Sequence, residues 1–75
     1  MTDMVATELG QKAREIVNAF RGAQTSRAVD EAVAEYQEHR AVVLAAGYEL
    51  EIIGDWLYIC PRGHATVHWL GKLNR

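Results

Sequence analysis

The chain has 75 residues, 49% of them hydrophobic, with ten acidic and eight basic side chains and a formal net charge of −2. That length leaves room for one core and no second domain, and the apolar content belongs to a folded domain rather than a disordered tail. The acidic balance, with no block of Lys or Arg, argues against a protein whose main affinity comes from duplex phosphates.

Cys60 is the only cysteine, so no intramolecular disulfide can form, and a reducing, cytoplasmic setting is expected. Met1-Thr2-Asp3-Met4 shows no basic region leading into an apolar run, so no signal peptide is expected. No segment approaches the roughly 20 apolar residues that span a bilayer, and no membrane association is expected. A core this small gains substantially from burial against a partner or a second copy.

The first element is an amphipathic helix over about residues 3–21. Val5, Leu9, Ala13, Ile16 and Phe20 recur at three- and four-residue spacing with Val17 beside them. Thr2 or Asp3 can cap its start, and Arg21 followed by Gly22 suits its end. Gly10 inside this helix costs about 1 kcal/mol against Ala, which points to a place where another backbone comes close. A short connection follows, with Thr25 or Ser26 as the next cap.

The second helix covers about residues 26–46, with a stripe of Val29, Ala32, Val33, Tyr36, Val43 and Leu44. Arg40 falls near the middle of this stripe, beside His39, and is expected to snorkel to the rim or pair with a carboxylate. Glu31, Glu35 and Glu38 form an acidic ridge, read as a solvated face. Gly47 stands where a left-handed residue ends a helix, with Tyr48 placed to close onto Val43. The short link between the helices makes them antiparallel neighbours.

After Gly47 the period changes to two, predicting strands over about residues 48–53, 56–60 and 64–70. Gly54-Asp55 is a two-residue hairpin loop. Pro61-Arg62-Gly63 reads as a three-residue loop with a bulge. These turns pair Ile53 with Trp56, Glu51 with Tyr58 and Glu49 with Cys60. They then pair Cys60 with His64, Tyr58 with Thr66 and Trp56 with His68. The fold expected is α+β: two antiparallel helices packed on one face of a three-stranded antiparallel meander. Residues 71–75 are left as a short polar tail.

In this register Tyr48, Leu50, Ile52, Leu57, Ile59, Ala65, Val67 and Trp69 share one almost wholly apolar face, which should meet the helices. The opposite face carries Ile53, Trp56, Tyr58 and Leu70, rimmed by Glu49, Glu51, His64 and His68. A contiguous aromatic and aliphatic patch on an uncovered sheet face marks a contact surface, and Trp and Tyr are the residues that most often anchor one. The expected function is a small non-enzymatic protein-binding module or regulator, of the size class of accessory proteins carried by bacteriophages and mobile elements. Its partner-binding residues are Glu51, Ile53, Trp56, Tyr58, His68 and Leu70, and its partner is another protein or a second copy. The blander reading treats the same residues as cross-strand pairs that stabilise an exposed sheet.

The alternative is nucleic-acid binding, either by bases stacking on the same face or by a helix-turn-helix-like use of the helix pair. Glu49 and Glu51 oppose the first, and the acidic exposed side of helix two opposes the second. Cys60 and His64, with Glu49 in reach, fall short of the four ligands a structural zinc takes. A Cys60–His64 dyad lacks an orienting third group and an oxyanion site. No cofactor, metal or catalytic residue is expected.

Overall fold

The computed structural model describes residues 4–74. Two helices, α1 (Met4–Arg21) and α2 (Ser26–Ala45), precede the strands β1 (Tyr48–Ile53), β2 (Trp56–Pro61) and β3 (Trp69–Lys72). The strands form one antiparallel sheet in the order β1-β2-β3. The protein is thus α+β, with both helices packed on one face of the sheet: α1 meets β2 and β3, and α2 meets β1.

The ends of α2 follow their local chemistry. The Thr25 side chain accepts a hydrogen bond from the Ala28 amide at 3.1 Å, satisfying one of the open donors of the first turn. Gly47 takes the left-handed conformation, φ +89°, and its amide donates to the Leu44 carbonyl. The cap expected of Thr2 or Asp3 lies outside the described residues.

The helix faces are rotated from the expected stripes. In α1 the innermost residues are Ala6, Gly10, Ala13, Ile16 and Val17, while Val5 and Phe20 are exposed. Small side chains let α1 approach the sheet closely, and size won over hydrophobicity in choosing the face. In α2 the inner line runs Ala32, Tyr36, His39, Val43, a continuous three- and four-residue spacing. His39 therefore takes the place near the middle of the buried stripe expected of Arg40, which is exposed, and Val33, expected in the stripe, is exposed as well. Buried His39 is satisfied: its Nε2–H donates to the Leu9 carbonyl at 2.8 Å, tying α2 to α1.

Leu57 and Ile59 of β2 and Val43 of α2 are fully buried, and Ala6, Ala13, Val17 and Leu73 complete the core. Leu9, Tyr36, Tyr48, Leu50 and Trp69 pack around it.

The β1–β2 hairpin has the expected register, with Ile53 opposite Trp56, Glu51 opposite Tyr58 and Glu49 opposite Cys60. Gly54 has φ +60° and Asp55 does not take positive φ, which is the type II′ form of the two-residue loop. The third strand departs from expectation. A turn does form at Pro61-Arg62-Gly63, with Gly63 at φ +80° and the His64 amide donating to the Pro61 carbonyl. No strand follows it directly. Residues 64–67 are irregular, and β3 begins at Trp69, with Ile59 opposite Trp69, Tyr58 opposite Leu70 and Trp56 opposite Lys72.

The expected pairs of Cys60 with His64, Tyr58 with Thr66 and Trp56 with His68 are thus replaced by a register four residues later. The reason is burial. The Trp69 indole lies over Gly10 of α1 and Gly71 of its own strand, where an added methyl group at either glycine would overlap the ring. Gly10 marks the close approach of this indole, not of a backbone. The later register also takes Leu73 into the core, leaving Ala65 and Val67, expected inside, exposed. A shift of four residues is even, so Trp69 and Leu70 keep their faces.

The stretch expected as a polar tail is consequently structural as far as Asn74. The Arg21 guanidinium donates to Asp55 Oδ1 at 3.0 Å, to the Gly54 carbonyl at 2.7 Å and to the Asn74 carbonyl at 2.8 Å. The Leu73 amide donates to the Asp55 carbonyl, and the Asn74 amide to Asn18 Oδ1. One arginine at the end of α1 thereby holds the hairpin loop and the chain beyond β3 together.

Candidate functional site

Two helices cover one side of the sheet, and the side chains that alternate away from them form the candidate surface. Strand pairing arranges these in rows: Ile53, Trp56 and Lys72 in one, then Glu51, Tyr58 and Leu70, then Glu49 and Cys60. Ile53 is 57% exposed, Leu70 48% and Trp56 41%, while Tyr58 between them is half-buried. Adjacent strands bring these four side chains into one apolar patch. Glu49 and Glu51 flank it on β1, and Lys72 flanks it on β3 with its ammonium 5.9 Å from the Trp56 ring centre. Such a cation over an aromatic face is worth about 0.5–1 kcal/mol when exposed.

Of the six residues expected in the site, Glu51, Ile53, Trp56, Tyr58 and Leu70 share this face. His68 does not stand opposite Trp56. It precedes β3, its amide donates to the Ile59 carbonyl, and its ring meets Tyr48 edge-on at 6.0 Å. Lys72 takes the place expected of His68. Its signal was present in the alternation of Trp69, Gly71 and Leu73, which puts Leu70 and Lys72 on the opposite face.

A groove of about 540 Å³ runs beside the patch. Glu49, Glu51 and Ile53 of β1 line it, with Tyr58 and Cys60 from β2. Arg40 and Leu44 of α2 contribute from the core side, and His64, Ala65 and Val67 from the β2–β3 connection. Among the described residues Arg40 forms no ion pair with either glutamate and is exposed, so of its two expected roles the rim position fits and the carboxylate pair does not. A second groove of about 520 Å³ opens between the helices and β1, where Phe20, Val33, Tyr36 and Ile52 meet.

The chemistry available at Cys60 is limited. Partial burial, reinforced by Glu51 and then Glu49, pushes the thiol pKa up, which keeps it protonated near neutral pH. Among the described residues no three His, Cys, Asp or Glu side chains are grouped to hold a metal ion. Among them, too, no helix is long and apolar enough to cross a membrane. The chain matches no family model, no curated protein and no solved structure.

Proposed function

We propose that this protein is a non-enzymatic protein-binding module acting through the outer face of its sheet. The observation that carries the reading is the apolar patch of Ile53, Trp56, Tyr58 and Leu70 on the side the helices leave uncovered. Trp56 and Tyr58 are the anchors, and Glu49, Glu51 and Lys72 form a charged rim that tunes partner choice. The acidic β1 side works against a nucleic-acid backbone on this face. The reducing interior of a cell is the natural setting for a protein with one unpaired thiol.

Replacing Trp56 and Tyr58 by Ala should cost at least about 2 kcal/mol of binding energy, as loss of an interface anchor does. The circular-dichroism spectrum should stay that of the folded protein. Calorimetric titration against the cognate partner reads the first quantity, and unchanged affinity would remove the outer face from the interface.

A further inference from the structure

β1 is an edge strand with one of its sides open. Among the described residues β2 is its only strand partner. In a two-residue hairpin the residues flanking the loop exchange both backbone hydrogen bonds, and the pattern alternates along the strands. Here those pairs are Ile53 with Trp56, Glu51 with Tyr58 and Glu49 with Cys60. The backbone N–H and C=O groups of Leu50 and Ile52 therefore point away from β2, along the free edge. Sheet edges are commonly blunted by proline, a bulge, a covering segment or charged side chains, lysine above all, and the charges on β1 are Glu49 and Glu51. β1 has no proline or lysine, and its pairing with β2 runs through all six residues without a bulge.

The edge also lies in a cleft. Arg40 and Leu44 of α2, and His64, Ala65 and Val67 of the β2–β3 connection, line the same groove as Glu49 and Glu51. The helix–β1 groove continues from Ile52 to Phe20 and Val33. Leu44, Ile52, Phe20 and Val33 thus give the inner-facing residues of an added strand apolar neighbours, with the Arg40 side chain lining both grooves between them. Its outer-facing residues would stand beside Glu49 and Glu51, which among the described residues have no ion-pair partner. We infer that β1 accepts an extended segment of another protein in which Lys or Arg alternates with aliphatic residues, added to the sheet as a fourth strand.

A second copy fits this edge poorly. Antiparallel pairing of β1 with itself on a two-fold axis sets Glu51 opposite Glu51 when centred there, or Glu49 opposite Glu51 when centred on Leu50, and centring on Ile52 runs the pairing into the Gly54-Asp55 loop after three residues. Like charges directly opposite are destabilising. The same two glutamates that discourage self-pairing select a basic partner.

The inference rests on the reading of the protein as a binding module and carries it from the sheet face to the sheet edge. The test uses the full chain, isotopically labelled, titrated with a short capped peptide of alternating Lys and Val and followed by amide NMR. The amides of Leu50 and Ile52 should shift and become protected from exchange. Glu49→Gln/Glu51→Gln, which removes surface charge without touching the core, should weaken binding about tenfold, the size of two cross-strand charge pairs. A Glu/Val peptide, or the Lys/Val peptide N-methylated at alternate residues, should not bind. Equal binding of the Glu/Val peptide, unchanged affinity in the glutamine variant, self-association through β1, or shifts that bypass Leu50 and Ile52 would each overturn the inference. Peptide failure alongside a Trp56/Tyr58-dependent partner would sink the edge and leave the face standing.

Discussion

The β1–β2 hairpin and the third strand are held in place by different physics. The hairpin is local: a type II′ loop with Gly54 at φ +60° sets the pairing of every residue behind it. β3 is not placed by its turn, although Pro61-Arg62-Gly63 bends as its composition suggests. It is placed by the Trp69 indole seated over Gly10 and Gly71, and by Leu73 in the core. A tight loop dictates register, whereas a long connection leaves register to whichever alignment buries most.

Removing the indole should break that contrast most visibly. Trp69→Ala should cost about 3 kcal/mol, the low end for a large aromatic because Trp69 is half-buried. Exchange protection should fall first at Leu70–Leu73 and persist across β1–β2, as read by native-state hydrogen exchange. Gly71→Ala adds a methyl group into the indole and should cost about 2 kcal/mol in denaturant unfolding, as overpacking does.

Smaller effects sharpen the hairpin side. Gly54→Ala places a side chain at positive φ and should cost about 1–2 kcal/mol, raising amide exchange across β1–β2. Arg21→Ala releases the loop and Asn74 together, but its guanidinium is partly solvated, so about 1 kcal/mol is expected.

The smallest effect is at Cys60, where alkylation at mildly alkaline pH should be slower than for a free peptide thiol. Glu49→Gln/Glu51→Gln should accelerate it in part, because burial remains. Since the folded thiol has the higher pKa, its contribution to stability is present below the ordinary thiol pKa and is lost as pH rises through the folded value.

Legibility in the sequence follows the same division. Both helices, the Thr25 cap, the Gly47 terminus and the first hairpin rest on signals within a few residues of one another. The choice of helix face was harder to read. Gly10 and Ala6 are buried ahead of Val5 and Phe20 because close approach to Trp69 and the sheet demands small side chains, which a hydrophobicity stripe does not record. His39 was hidden by its polarity, although the spacing from Ala32 through Tyr36 to Val43 passes through it. For the candidate site, β1 and β2 supplied Glu51, Ile53, Trp56 and Tyr58 through the hairpin alone. Leu70 survived the shift in β3 because the shift is even, while His68 lost its place opposite Trp56 to Lys72.

The central claim is that the uncovered sheet face is a surface of contact, and Trp56 can report on it directly. In a Trp69→Phe background Trp56 is the only indole, exposed on the outer face. Titration with the cognate partner should shift its fluorescence to shorter wavelength and protect it from iodide quenching. An emission spectrum and quenching constant unchanged at saturation would contradict the claim.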